Sequence, residues 1–209
     1  MENNKKLLII LAVFVLVLVG AGLLYSQLLP RFQQDQLNVL TTQPTETTSE
    51  TTSNTTPNTT PNTTAGTESQ EYLAPDFTVY DAQGNGVRLS DYFSKPIVLN
   101  FWASWCGPCQ SEMPDFDEKN QQLGGEVQFL MINMTDGDRE TVDTAAAFIA
   151  KKGYTFPVFY DTQLEAAMTY GAYSLPMTFF INSQGELIAR AVGAIDGETL
   201  QRGIDMIAD

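Results

Sequence analysis

Two cysteines three positions apart, Cys106 and Cys109, sit where an apolar run gives way to a helix-forming one. They are the only cysteines in the 209-residue chain. The run before them, Ile97-Val98-Leu99-Asn100-Phe101-Trp102, is nearly continuous in β-branched, aliphatic and aromatic side chains, the pattern of a strand buried on both faces. From about Pro108 to Leu123 the chain can be helical, with Pro108 in the first turn, where a missing N–H is not needed. A thiol at a helix N-terminus meets orphan N–H groups and the positive end of the helix dipole, which favour its thiolate. With i, i+3 spacing, the second thiol can attack a mixed disulfide formed by the first. A structural zinc site takes four Cys or His ligands, whereas this chain has no histidine and no third cysteine. A permanent brace is the other reading, but a loop of two intervening residues stabilises little through closure entropy. The residues favour thiol–disulfide exchange, with Cys106 as nucleophile and Cys109 resolving.

The flanking pattern alternates between strand and helix. Asp76–Tyr80 and Val87–Leu89 flank the turn-rich Asp81–Gly86 and read as a hairpin, followed by a short turn over Ser90–Phe93. Val127–Asn133 is a second buried strand. Arg139–Lys151 is a predicted helix with Val142, Ala146, Phe148 and Ile149 inward, closed by Gly153. Phe156–Tyr160 contains Pro157, which places it near an edge or makes Pro157 a strand start. Leu164–Tyr170 should be a short helix. Met177–Ile181 and Leu187–Val192 flank Asn182-Ser183-Gln184-Gly185, a hairpin signal, and Thr199–Ile207 should be a closing helix. This order predicts an α/β sandwich with a mixed central sheet.

Upstream the chain changes character twice. Leu7 to Leu24 is a run of 18 apolar or glycine residues behind Lys5 and Lys6, long enough to span a bilayer. The lysines place residues 1–6 in the cytoplasm, residues 7–25 as a single-pass anchor and the rest outside. Cleavage near Gly20-Ala21-Gly22 is the rival reading, and no cysteine stands nearby to carry a lipid. Residues 26–70 read as a linker. Its Thr/Ser/Asn/Pro-rich part includes the tandem Asn54-Thr55-Thr56-Pro57 and Asn58-Thr59-Thr60-Pro61, a composition too polar to offset the entropy of ordering. Residues 71–209 are left for the folded unit.

The formal net charge is −14. From Gln70 onward there are 20 acidic and 8 basic residues, which argues against nucleic acid or anionic lipid headgroups as partners. The absence of histidine removes Ser-His-Asp and Cys-His catalysis. No metal and no cofactor are expected, and nothing in the pattern calls for more than a monomer.

Trp105-Cys106-Gly107-Pro108-Cys109 after a strand resembles the thioredoxin active site. Together with Asn100-Phe101-Trp102-Ala103-Ser104 and Glu112-Met113-Pro114, it resembles the membrane-tethered ResA/TlpA branch of that superfamily, as does the N-terminal hairpin. The resemblance implies a thioredoxin fold with an N-terminal β-hairpin extension. It also implies that Pro176, after Leu175, is a cis proline bordering the cysteines and leaving a backbone edge for substrate. From the residues alone a trans turn proline would do. Trp105 reads as an apolar docking surface or as core packing. Asn100 departs from many cytosolic thioredoxins, which carry a buried aspartate there as proton acceptor. Glu112, one helical turn beyond Cys109 and also present in the ResA-like pattern, is then the candidate proton carrier. Its alternative is a solvated acid complementing the helix dipole. Pro114 should bend this helix.

The resemblance implies a membrane-anchored extracytoplasmic thiol-disulfide oxidoreductase. It would reduce protein disulfides, apocytochrome c haem-site cysteines among the candidates, with electrons from a membrane thiol carrier. A disulfide oxidase or isomerase, and a redox-inactive binding module on a stalk, are the alternatives. A peroxiredoxin is disfavoured, because Ala103 holds the place three residues before the nucleophile where those proteins have threonine.

Overall fold

The computed structural model describes residues 37–40 and 73–208. The expected anchor, Leu7–Leu24, lies outside the described residues, as does most of the linker. Among the described residues no helix is long and apolar enough to cross a membrane.

In chain order the elements are β1 (Leu37–Val39), β2 (Thr78–Tyr80), β3 (Gly86–Arg88), a 3-10 turn (Leu89–Tyr92), β4 (Ile97–Trp102), α1 (Gly107–Leu123), β5 (Gln128–Asn133), α2 (Val142–Lys152), β6 (Val158–Tyr160), α3 (Glu165–Tyr170), β7 (Met177–Ile181), β8 (Leu187–Val192) and α4 (Gly197–Asp205). One mixed sheet holds eight strands in the order β1-β8-β7-β4-β5-β6-β2-β3. This is a thioredoxin-like α/β fold with an N-terminal hairpin.

β4 lies near the middle, parallel to β5 on one side and antiparallel to β7 on the other, and all six of its residues are buried. Its period of two sends alternate side chains to opposite faces. Val98 and Trp102 join the cluster that includes Met113 and Phe116 of α1, Ala145 of α2 and Leu200 and Ile204 of α4. Ile97, Leu99 and Phe101 join the opposite cluster with Phe77 and Val79 of β2 and Ala166 and Tyr170 of α3. Asn100 has the parity of Val98 and Trp102, so it faces α1. Gly203 lets α4 lie close on β7, since a Cβ there would overlap the ring of Phe180.

Two expectations need correction. Residues 26–70 are not all linker: Leu37–Val39 form β1, antiparallel to β8 in the register Leu37↔Ala191, Asn38↔Arg190 and Val39↔Ala189. Leu37 and Val39 flanking Asn38 beside an open strand edge suffice for a ladder that local composition does not announce. Leu40 N–H then donates to Ile188 O at 2.8 Å, and Leu73 bridges Glu186, so both ends of the intervening stretch sit on one hairpin. The second correction is the start of α2, which begins at Val142 and not Arg139. Thr141 caps it, its Oγ1 accepting from Thr144 N–H. Asp136 Oδ1 meanwhile accepts from the N–H groups of Asp138, Arg139 and Glu140, a local alternative to helix. Within the helix it is Ala145, and not the expected Ala146, that turns inward, because the face packed on the sheet is set by the tertiary contact.

β6 begins just after Pro157 and lies between β5 and β2, so the strand-start reading of Pro157 holds and the edge reading does not.

Candidate active site

Cys106 is the N-cap of α1, with Gly107 and Pro108 as the first helical residues. Its Sγ accepts from Cys109 N–H at 3.2 Å, so the sulfur meets one of the orphan donors of the helix start. Cys106 and Cys109 form a disulfide, with Cα atoms 5.3 Å apart. Both sulfurs are shielded, Cys106 being 4% exposed and Cys109 0%. Cys106 is therefore the more accessible, although it is less open than the turn suggested. Gly107 and Pro108 are exposed. The first turn of α1 holds no acidic side chain to oppose an anion at Cys106.

Trp105 is 40% exposed, which favours a surface role over plain core packing. The Arg139 guanidinium carbon lies 3.5 Å from its ring centroid. The Leu175–Pro176 peptide is cis, as the resemblance implies. Leu175 packs on the cluster that contains both cysteines, and Pro176 leads directly into β7. Pro176 O accepts from Gly193 N–H, while Tyr173, three residues earlier, is 84% exposed.

Glu112 is not a solvated first-turn acid. It is 2% exposed, on the face of α1 turned to the sheet. Its Oε1 accepts from Asn100 Nδ2 at 2.9 Å, and its Oε2 accepts from Ile195 N–H at 3.0 Å. Burial raises its pKa to about 7, against the pull of the two hydrogen bonds and with a smaller push from Asp115. Asn100 also donates to Thr178 Oγ1, yet its Oδ1 has no partner among the described residues. Turning the amide over would let a protonated Glu112 donate to that oxygen. Asn100 thus cannot itself exchange a proton, but it faces the group that can.

Sequence reasoning missed Glu140. This carboxylate is fully buried. Its Oε1 accepts from Ser104 N–H and from Asn133 Nδ2, each at 2.9 Å, and its Oε2 accepts from Ser104 Oγ at 2.7 Å. The available signals were faint: an asparagine ending the apolar run of β5, and an acid in the first turn of the expected Arg139–Lys151 helix. Both have ordinary explanations at the sequence level. Among the described residues no cluster of His, Cys, Asp and Glu could hold a metal ion.

Residues 71–190 match the AhpC/TSA family. The thiol-disulfide oxidoreductase ResA of Geobacillus kaustophilus (strain HTA426) is 35% identical over 135 residues, covering 64% of this chain and 75% of that protein. A putative thiol:disulfide interchange protein DsbE from Chlorobium tepidum superposes with a TM-score of 0.60 at 27% identity, covering 66% of this chain and 97% of that one. The exposed lipoprotein thioredoxin Etrx1 from Streptococcus pneumoniae strain TIGR4 gives 0.54 at 30% identity, covering 63% and 98%.

Proposed function

The chain belongs to the AhpC/TSA family and is a thioredoxin-like thiol-disulfide oxidoreductase, and on that premise we propose that it reduces protein disulfides through Cys106 and Cys109 on the outer side of a membrane. The observation that carries this reading is the placement of the pair: Cys106 caps α1, and Cys109 stands fully buried behind it. A reduced Cys106 thiolate attacks one sulfur of the substrate disulfide. That bond breaks, a mixed disulfide forms, and the first substrate thiolate leaves. Cys109 gives up its proton and attacks Cys106 Sγ, which releases the second substrate thiolate. The enzyme pair is oxidised, the substrate gains two electrons and two protons, and a dithiol carrier must reduce the pair again. Glu112, poised near neutrality, is the proposed acceptor of the Cys109 proton. Trp105 and the backbone beside cis-Pro176 and Leu175 would form the docking groove. Gly107-Pro108 adds no charge near Cys106, so the thiolate leans mainly on the helix N-terminus.

The proposed substrate class is extracytoplasmic protein disulfides, with the haem-site cysteines of apocytochrome c as one member. Support for that location comes from the Leu7–Leu24 run and from the relative described as an exposed lipoprotein. The direction rests on potential. Thioredoxins lie near about −270 mV and the strong oxidant DsbA near about −120 mV, a gap on the order of 7 kcal/mol for two electrons. Residues 26–209, which retain β1, should reduce insulin and equilibrate with dithiothreitol buffers below about −220 mV. A value near that of DsbA would make the protein an oxidase. Failure to reduce insulin would leave a binding module.

A further inference from the structure

The segment from Asp136 to Glu140 lies 30 residues and more beyond Cys106 in sequence, yet it grips the turn that carries the cysteines. Ser104 is held at three points. Its N–H and Oγ donate to Glu140, and its carbonyl accepts from Gln110 Nε2 at 2.7 Å. The next residue, Trp105, lies under the Arg139 guanidinium. The gripping segment is itself fixed. Asp136 Oδ1 gathers three of its N–H groups, Gly137 N–H donates to Glu140 O, and Asn133 Nδ2 donates to Glu140 Oε1. Arg139 is exposed, and its guanidinium forms no ion pair among the described residues but lies over the indole.

We propose that Arg139 and Glu140 are positioning residues for substrate engagement, Glu140 acting through Ser104 and Arg139 through Trp105. This rests on the oxidoreductase reading above. Glu140 sets the backbone from which Cys106 follows two residues later. Arg139 holds the half-exposed indole flat beside the nucleophile, as a rigid apolar surface for an incoming polypeptide. Neither residue touches the sulfurs, whose reactivity comes from the start of α1. Loosening the grip should therefore impair recognition of a polypeptide more than reaction with a small disulfide.

The test uses the full-length chain in detergent with two probes: insulin, with dithiothreitol as reductant, and the small disulfide 5,5′-dithiobis(2-nitrobenzoate). Arg139→Ala should raise KM for insulin about threefold, the worth of an exposed cation–π contact, with kcat moving less than twofold. Glu140→Ala leaves three donors, Ser104 N–H, Ser104 Oγ–H and Asn133 Nδ2–H, without their acceptor and should raise KM about tenfold or more. Glu140→Gln should return to within about twofold of wild type. The Gln Oε1 keeps both N–H donors while its Nε2 donates to Ser104 Oγ, which can accept. Of the two tryptophans Trp102 is fully buried, so acrylamide quenching reports Trp105 and should increase in both alanine variants. Unchanged KM and quenching in Arg139→Ala overturn the proposal, even if Glu140→Ala fails to fold. An equal loss with both disulfide probes overturns it too, since the segment would then act on the thiols. Wild-type protein inert toward both probes would sink the oxidoreductase reading instead, while quenching still reports on the grip.

Discussion

Asn100 in β4 donates its Nδ2–H to Glu112 Oε1 in α1 across 2.9 Å, with both side chains buried. A neutral amide and a carboxyl thus face each other across the sheet–helix interface. The amide cannot exchange a proton, and the acid is raised to about 7 by burial. That value gives a pH signature. The unfolded chain releases the Glu112 proton near its ordinary 4.5, and the folded chain holds it until about 7. Between those values the native state binds more protons, so stability falls as pH rises, by on the order of 3 kcal/mol in all. Glu112→Gln should flatten the dependence of the urea midpoint on pH across that window and slow exchange with substrate. Parallel curves for the two proteins would mean that Glu112 titrates as an ordinary surface acid.

The roles of the two cysteines separate in trapping. Cys109→Ser leaves Cys106 to form mixed disulfides that nothing resolves, so adducts should appear on non-reducing gels. Cys106→Ser should give none, because Cys109 is wholly buried. Adducts in the second variant and not the first would reverse the assignment.

Gly203 sets two effects against each other. Alanine in place of glycine within a helix gains about 1 kcal/mol. Here the added methyl overlaps the Phe180 ring, and overpacking a filled core costs about 1–3 kcal/mol. The clash should win, lowering the denaturation midpoint of Gly203→Ala. Phe180→Leu should recover part of the loss in the double variant. A stabilised Gly203→Ala would mean that α4 sits farther from the sheet.

The two ends of the threonine-rich stretch are pinned at Ile188 and Glu186. Replacing residues 41–72 by eight Gly/Ser residues shortens a closed loop fourfold, worth about 1 kcal/mol of closure entropy. Thermal stability should rise slightly. Removing everything before residue 70 deletes β1 and exposes the β8 edge, so stability should fall. If both changes are neutral, β1 adds nothing to the fold.

Much of this protein is written locally. The Ile97–Trp102 strand, the helix opening at Gly107-Pro108, the Met177–Val192 hairpin and the cysteine pair all follow from period, breaker residues and spacing. Each of those signals acts over a few residues, where sequence order and spatial order coincide. The resemblance carried by the same stretch also placed the cis proline, Pro176. What local pattern could not decide was which partners arrive from a distance. Helical spacing put Glu112 one turn beyond Cys109, but its desolvation depends on β4 parity and on Ile195, 83 positions away. Glu140 falls inside the expected Arg139–Lys151 helix with nothing local to single it out, and only the fold brings it to Ser104, 36 positions earlier. Leu37–Val39 became a strand because β8 offers an open edge. Burial and pairing belong to both partners at once, so only the tertiary structure assigns them.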